Sequence, residues 1–224
     1  MIGLWKGRIL VKNYRLYLFD FDYTLANSEA GIMKCFHLAL AGAGYADVTD
    51  DAIRKTIGLP MADAVKALVK GADDAAARAF IETYRPLANL YMTKGTAFFP
   101  RALETLRTLK ARGANIAIIS NKTGSRIQEK FDLDGAADCI DLIIGSDEGI
   151  APKPAPDGLL HALARFGAEK KDALYTGDSL VDAKAAQRAG LDFAAVLTGA
   201  TEEADFAPYP HVAILAGVEG LLMR

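Results

Sequence analysis

The segment Leu16–Leu25, LYLFDFDYTL, constrains this chain most strongly, because an apolar stretch ends in two carboxylates. Its first residues are apolar on both faces of an extended chain, which predicts a buried strand of a parallel sheet. Asp20 and Asp22 follow, although an unpaired carboxylate in a protein interior is costly. At the carboxyl end of a parallel strand, both would stand in the crevice where open α/β sheets bind ligands. The pair suggests a divalent cation, or a nucleophile with an acid/base partner; a capping acid beside a solvated loop acid is the alternative.

The composition is that of a globular protein without a basic surface that could bind polyanions. The chain of 224 residues is long enough for one large domain or two smaller ones. Of its residues, 51% are hydrophobic and 24% are charged. A formal net charge of −2 offers no basic surface to nucleic acid or to an anionic membrane. No apolar run is long enough to span a bilayer, and residues 1–13 lack the features of a signal peptide. We therefore expect a cytoplasmic protein, with Cys35 and Cys139 as buried free thiols.

Strand and helix patterns alternate along most of the chain, and an all-helical stretch interrupts them. Between about residues 28 and 94 apolar side chains recur at helical spacing, with no convincing strand. Beyond it, the alternation predicts a parallel sheet covered on both faces. The expected architecture is α/β, a Rossmann-like parallel sheet with helices on both faces and an inserted all-helical domain. The predicted boundaries are 1–26 and 95–224 for the α/β domain and 27–94 for the helical one.

The elements after the first strand can be predicted one by one. Strands are expected at 114–119, 141–144, 173–176, 193–197 and 212–215. Helices are expected at 28–40, 50–57, 61–69, 73–91, 101–111, 123–131, 156–166 and 181–189. Ser28 is expected to cap the first helix with its hydroxyl, while Gly113 and Gly190 end two later ones. Gly95 is a candidate hinge, because glycine tolerates unusual backbone angles.

Polar side chains follow four of the predicted strands, each at the carboxyl end. They are Asp20 and Asp22, then Ser120 and Asn121, then Lys153, then Asp178 and Asp182. Because the carboxyl ends of parallel strands meet at one edge, we expect these side chains to lie together. The excess of carboxylates favours a hard cation such as Mg²⁺, and the lysine, the serine hydroxyl and a helix N-terminus favour phosphate. An anion held against a metal by an aspartate indicates phosphoryl transfer through an aspartyl phosphate.

Taken singly, these residues also have simpler explanations. Ser120 could cap the following helix, and Asp178 and Asp182 could be acids favoured at a helix start. Lys153 alone is most simply a solvated surface lysine. Because four such coincidences would have to fall at one edge of one sheet, we favour the functional interpretation.

The motifs resemble those of the haloacid dehalogenase superfamily of hydrolases, in the branch similar to phosphoglycolate phosphatases. Four segments match the family's four motifs in order: Asp20-Phe21-Asp22-Tyr23-Thr24, then Ser120, then Lys153-Pro154, then Gly177-Asp178-Ser179 with Asp182. The helical insert stands where the family has its cap domain. The chain departs from the family at Tyr23, where glycine is usual, and at Asn27, where aspartate is common.

The resemblance implies a role for each matching residue. Asp20 would be the nucleophile, and Asp22 the general acid that later becomes the base. Mg²⁺ would be bound by Asp20, by the backbone carbonyl of Asp22 and by Asp178. The phosphoryl group would be held by Thr24, Ser120, Asn121 and Lys153, with Lys153 also offsetting the charge of Asp20. Asp182 would orient water ligands of the metal or Lys153 rather than bind the metal directly, and Ser179 would likewise contact these groups and not the metal.

The function implied is a Mg²⁺-dependent phosphatase for a small, phosphoglycolate-like phosphorylated metabolite, in a monomer or homodimer without nucleic acid or membrane partners. Asp22 favours phosphate esters over haloacids, because dehalogenation needs no second acid. A sugar phosphomutase of related build and a non-enzymatic aspartyl-phosphate switch remain alternatives. The switch is less favoured, because Asp20 follows the first predicted strand and a switch domain has no place for the insert. Arg54 or Lys55 is a candidate to meet a substrate carboxylate.

Overall fold

Strands and helices alternate along the chain except between residues 29 and 91, where helices follow one another. The computed structural model describes residues 12–45 and 47–223. Its strands are β1 (Leu16–Phe19), β2 (Ala26–Asn27), β3 (Ala97–Phe98), β4 (Asn115–Ile119), β5 (Leu142–Ile144), β6 (Ala173–Gly177), β7 (Asp192–Val196) and β8 (Ala213–Leu215). Its α-helices are α1 (Glu29–Gly42), α2 (Asp50–Arg54), α3 (Met61–Leu68), α4 (Asp74–Tyr91), α5 (Ala102–Ala111), α6 (Gly124–Leu133), α7 (Asp157–Phe166) and α8 (Leu180–Ala189).

The main sheet consists of parallel strands in the order β5-β4-β1-β6-β7-β8. β1 lies inside it, between β4 and β6, and all four of its residues are buried. Side chains alternate across the strand, so that Tyr17 and Phe19 pack toward α5 and α6 while Leu16 and Leu18 pack toward α7 and α8. The predicted α/β fold, a parallel sheet with helices on both faces, is confirmed.

Helices α1 to α4 bury an apolar cluster of their own, separate from the two clusters that flank the sheet. At its centre the ring of Phe36 lies 5.9 Å from that of Phe80 and 5.0 Å from that of Tyr84, between centroids. The helical pattern predicted for this stretch is confirmed. Its division from the rest at residues 26/27 and 94/95, as a domain, stays a prediction.

The two connections between the helical insert and the sheet pair with each other. β2 and β3 run antiparallel, with Asn27 opposite Ala97. This ribbon was not predicted, because two-residue strands carry no periodicity. Nearby, a Cβ on Gly95 would lie 2.5 Å from the Cα of Gly31. Gly95 is not among the residues with positive φ, so close backbone approach, rather than an unusual backbone angle, requires glycine there.

Helix ends lie close to the predicted ones except at Ser28 and at α2, which ends at Arg54 rather than near residue 57 because residues 55–58 form turns. Gly113 and Gly190, with φ of 85° and 70°, end α5 and α8 as expected. Ser28 makes no capping hydrogen bond, and its buried hydroxyl has no partner among the described residues. Its ψ of 6° lies outside the extended region of a capping residue, so the predicted cap is wrong. Instead Asn27 Oδ1 accepts a hydrogen bond from the Glu29 N–H at 2.9 Å.

Two further expectations concern the thiols and the membrane. Cys35 and Cys139 are both free and buried, as predicted. None of the helices in residues 12–45 and 47–223 combines the length and apolarity needed to cross a bilayer.

Candidate active site

The predicted polar residues come together at the carboxyl edge of the sheet. Asp20 follows β1, Ser120 follows β4, and Asp178 follows β6, which are neighbouring strands. Lys153 arrives on the loop after β5, and Asp182 lies in the first turn of α8. These five residues and Asp22 are all buried, and Asp20 is only 2% exposed. Water therefore does little to screen the charges at this edge.

Three carboxylates form a buried acidic cluster. Asp20, Asp178 and Asp182 each offer an oxygen within 4.8 Å of the other two. Burial raises the pKa of Asp20 to about 6 despite the opposing charge of Lys153. Burial, together with the charges of Asp182 and Asp20, raises the pKa of Asp178 well above its ordinary value. Without a bound cation, the positive charge that the protein supplies only partly offsets the negative charge of this cluster.

Lys153 is the cation closest to the cluster. Its Nζ lies 2.7 Å from Asp20 Oδ1 and 2.6 Å from Asp182 Oδ1. Burial would lower the pKa of Lys153, but the charges of Asp182 and Asp20 outweigh it and raise the pKa. Lys153 therefore occupies Asp20 Oδ1, whereas no described residue hydrogen-bonds Asp20 Oδ2. Asp20 therefore faces a fixed cation and keeps an oxygen available.

Asp182 has both oxygens occupied by the protein. Oδ1 accepts from Lys153 Nζ and from the Tyr175 hydroxyl, each at 2.6 Å. Oδ2 accepts from the N–H of Ser179 at 3.1 Å and from its hydroxyl at 2.6 Å, closing a capping box on α8. Such a carboxylate orients Lys153 and has no free oxygen for a metal. Tyr175 was missed by the sequence reasoning, since a tyrosine in an apolar strand is indistinguishable from core.

A divalent cation fits the remaining donors. Asp20 offers Oδ2, which no described residue hydrogen-bonds, and Asp178 Oδ1 accepts a hydrogen bond from the Thr24 hydroxyl at 3.1 Å. Carboxylate oxygens are hard ligands, and a dication would offset the negative charge that burial makes costly. The backbone at Gly199 also adjoins this site, because a Cβ there would overlap Asp178 Oδ2. Gly199 lies after β7 and had no signal in the sequence.

The carboxylate of Asp22 lies apart from this cluster's lysine and pairs with Lys122 instead. Lys122 Nζ donates to its two oxygens at 2.9 and 3.2 Å, with the two side chains 7% and 10% exposed. Lys122 was not among the predicted site residues. The available signal was its position two residues after Ser120, in the same loop beyond β4.

The structure shows other contacts for the predicted phosphate-binding residues. The Thr24 hydroxyl donates to Asp178 Oδ1 at 3.1 Å. Ser120 Oγ accepts from the Lys122 N–H at 3.3 Å. The amide of Asn121 is engaged by the backbones of Lys153 and Gly58. Phosphate binding by Thr24, Ser120, Asn121 and Lys153 stays a prediction.

Tyr23 has a left-handed backbone, with φ of 59°, at the position where the family usually has glycine. Its hydroxyl donates to Glu29 Oε2 at 2.6 Å, and Glu29 Oε1 accepts from Arg54 at 2.8 Å. Lys55 pairs with Asp51 at 2.8 Å on the surface. Both candidate carboxylate-binding residues, Arg54 and Lys55, therefore already have acidic partners.

A cavity of about 180 Å³ opens between this edge of the sheet and the helical insert. Asp22, Ser120 and Lys122 line it on the sheet side. On the other side its wall comes from the insert, mainly from apolar residues of α1, α3 and α4. The cavity is therefore next to the proposed acid and enclosed by the insert.

Comparison with known proteins places the chain in one family. The model for haloacid dehalogenase-like hydrolases matches residues 17–196, which include every predicted site residue. A protein named phosphoglycolate phosphatase from Rhodobacter capsulatus is 32% identical over 199 residues, covering 88% of this chain and 90% of that protein. Another of that name from Aquifex aeolicus is 31% identical, covering 83% and 85%. The crystal structure of a haloacid dehalogenase-like hydrolase from Bacteroides fragilis is 40% identical, with a TM-score of 0.90, covering 93% and 99%.

Proposed function

Because this chain belongs to the haloacid dehalogenase-like hydrolases, we propose that it is a Mg²⁺-dependent phosphatase that forms an aspartyl phosphate on Asp20. The observation that carries the proposal is Asp20 itself. It is a buried carboxylate whose Oδ1 lies 2.7 Å from Lys153 Nζ, while no described residue hydrogen-bonds its Oδ2. Such an oxygen is available both to a metal and to a phosphorus atom.

The residues divide the chemistry between them. Asp20 attacks phosphorus, the bond to the ester oxygen breaks, and Asp22 gives a proton to the departing alcohol. A water then attacks the aspartyl phosphate, loses its proton to Asp22, and releases phosphate and Asp20. Lys153, fixed by Asp182, balances charge on the transferring oxygens. Mg²⁺, when bound by Asp20, Asp178 and the Asp22 carbonyl, would supply electrostatic stabilisation of the phosphoryl oxygens.

The position of the helical insert favours a small substrate. We propose that residues 27–94 form a cap, since α1 to α4 carry their own apolar cluster and wall the cavity beside Asp22. A cap of this kind excludes phosphoproteins and nucleic acid strands. Phosphoglycolate is the first compound to assay, because relatives carry the name phosphoglycolate phosphatase.

The test is hydrolysis of a generic aryl phosphate with Mg²⁺, after chelation, and after Mg²⁺ is restored. We expect activity that chelation abolishes and Mg²⁺ recovers, and no activity in Asp178→Asn at low Mg²⁺. Full activity in the chelated enzyme would contradict the metal-dependent mechanism. Failure to hydrolyse any phosphomonoester in the presence of Mg²⁺ would overturn the phosphatase assignment.

A further inference from the structure

The cavity beside Asp22 carries more positive than negative charge. Three basic side chains line it, those of Arg85, Lys122 and Arg126, and Asp22 is the one acidic side chain among the described residues that do so. The chain as a whole has a net charge of −2, so this surplus is local. The phosphoryl group does not account for it, because in the proposed mechanism Mg²⁺ and Lys153, which does not line this cavity, balance the phosphoryl charge. The surplus is left for a second negative group on the substrate.

The guanidinium of Arg126, in the first turn of α6, has only neutral partners. Its Nη1 donates to the Thr123 hydroxyl at 3.0 Å, and its Nη2 donates to Asn89 Oδ1 at 2.8 Å and to the Arg85 carbonyl at 3.4 Å. In the part of the chain that the structure describes, no carboxylate pairs with it. A guanidinium stays charged at any physiological pH, so Arg126 keeps a partly buried positive charge that nothing nearby neutralises.

One donor of Arg126 is left over. Its Nε is buried, and no described residue accepts a hydrogen bond from it, although a buried N–H without a partner is costly and rare. Nε and Nη2 lie on one edge of the guanidinium, where two parallel N–H groups match two oxygens of a carboxylate or a phosphate. A turn of the guanidinium toward the cavity gives up only the contact with the exposed, neutral Asn89. The unused edge of Arg126 is therefore suited to an anion.

The other two cations of the lining become available when substrate binds. The acidic partner of Lys122 is Asp22, and the proposed mechanism requires Asp22 to hold a proton at that moment, which removes its charge. Arg85 pairs with Glu82 at 3.2 Å, but the two side chains are 60% and 70% exposed, and such surface pairs contribute little. An anion beside Arg126 would therefore meet further positive charge without competing with a strong ion pair.

The position of Arg126 places this anion on the alcohol part of the substrate. Asp22, as the proposed acid, faces the ester oxygen and lines the same cavity as Arg126. Burial raises the pKa of the Tyr84 hydroxyl well above its ordinary value, and smaller contributions come from the charge of Asp22, which raises it, and that of Arg126, which lowers it. Both charges thus act on one hydroxyl of the cavity wall. Arg54 and Lys55, the cations suggested by the sequence, line a different cavity.

Resting on the proposed function, we infer that Arg126 determines specificity by binding a second negatively charged group on the alcohol part of the substrate. The group is a carboxylate or a second phosphoryl group, since both present paired oxygens to the edge of a guanidinium. The substrate is then a phosphomonoester that carries its own second negative charge. Arg126 lies outside the four motifs that carry the family resemblance.

The first experiment compares kcat/KM for alkyl phosphates of two to four carbons with compounds of equal length. One set of counterparts ends in a carboxylate, beginning with phosphoglycolate, and the other ends in a second phosphate. At the length that reaches Arg126, we expect a charged compound to exceed its alkyl counterpart about 10- to 100-fold, and the better of the two sets identifies the group. If no charged compound exceeds its alkyl counterpart at any length, the inference is wrong and the phosphatase assignment stands.

Substitutions at Arg126 assign the preference to this residue. Arg126→Met should reduce the ratio of charged to alkyl kcat/KM about 10- to 100-fold, a ratio that a merely structural loss would not change. Arg126→Lys keeps the charge without the parallel donors, so its ratio should be intermediate, and it provides the same test if Arg126→Met does not fold. Arg78→Met, exposed on α4 and outside the cavity, is the matched control for lost charge and should leave the ratio unchanged. An unchanged ratio in the Arg126 variants would overturn the inference.

Calorimetric binding to Asp20→Asn with Mg²⁺ separates this inference from the proposed function. If the wild type hydrolyses no phosphomonoester, the proposed function fails, yet the order of Kd values still tests the role of Arg126. We expect the charged compounds to bind more tightly than their alkyl counterparts to Asp20→Asn, and to lose this advantage when Arg126→Met is added. Equal Kd values for the two classes in Asp20→Asn would contradict the role given to Arg126.

Discussion

Asn121 holds the backbone of Lys153 at two points. Its Oδ1 accepts from the Lys153 N–H at 2.9 Å, and its Nδ2 donates to the Lys153 carbonyl at 3.0 Å. The same Nδ2 donates to the carbonyl of Gly58, in the helical insert, at 2.9 Å. Asn121 thus connects the lysine of the acidic cluster with the insert above it.

Asn121→Ala should therefore weaken catalysis by misplacing Lys153. The buried N–H and carbonyl of Lys153 lose their partners, which costs about 1–3 kcal/mol of stability, and we expect kcat to fall roughly tenfold. Asn121→Asp retains an acceptor for the Lys153 N–H but sets a carboxylate oxygen against the two carbonyls, so it should be at least as damaging as Asn121→Ala. Urea unfolding and steady-state kinetics measure both effects. Unchanged kcat in both variants would mean that Asn121 does not position the lysine.

Asp22→Asn should separate chemistry from metal binding. The expected ligand at this position is the backbone carbonyl, so Mg²⁺ affinity should change little. Loss of the acid/base group should lower kcat by about 10² to 10⁴ with an alkyl phosphate. Calorimetric Mg²⁺ titration and kinetics are the two measurements. A large drop in Mg²⁺ affinity with near-normal kcat would reverse the role assigned to Asp22.

Asp178→Asn should stabilise the metal-free protein. Burial raises the pKa of Asp178 well above its ordinary value and that of Asp20 to about 6, so the ionised forms destabilise the folded state. The folded state then binds protons more tightly than the unfolded one, and metal-free stability should fall as the pH rises through 6. We expect Asp178→Asn to raise Tm at pH 8 without metal, and to lose the Tm increase given by Mg²⁺.

Asp182→Asn is the control for that experiment. Its carboxylate accepts four hydrogen bonds from Lys153, Tyr175 and Ser179, so the substitution should lower Tm. A fall in Tm of similar size in Asp178→Asn would show that the Asp178 carboxylate stabilises the metal-free folded protein, which would contradict the prediction.

Tyr23→Phe should loosen the connection between the nucleophile loop and the insert. The variant keeps the buried ring but loses the 2.6 Å hydrogen bond to Glu29, which pairs with Arg54. We expect KM to rise severalfold with a smaller change in kcat, and faster hydrogen exchange at residues 50–59. Glu29→Gln should act in the same direction. Exchange rates equal to those of the wild type in both variants would show that this chain of contacts does not hold the insert.

The strands and helices of this protein were predictable because buried strands and helices impose a periodicity on the sequence. The sheet edge was predictable because Asp20, Ser120 and Asp178 each follow an apolar run. Ser28 is not a cap because its ψ of 6° does not suit that role, and the β2–β3 ribbon directly before it has no periodicity that a sequence could reveal. The Lys122–Asp22 pair spans 100 residues of sequence, so no local pattern signals it.

The most direct test of the account is to look for a phosphoryl group on Asp20. Asp22→Asn is mixed with an aryl phosphate and Mg²⁺, quenched in acid, and its peptides are analysed by mass spectrometry. The aryl alcohol leaves without help from an acid, whereas hydrolysis of the intermediate still needs Asp22, so the intermediate should accumulate. We predict one phosphoryl group on the peptide that contains Asp20, absent when Asp20→Asn is added. A phosphoryl group elsewhere, or continued turnover of the aryl phosphate by Asp20→Asn, would contradict the account.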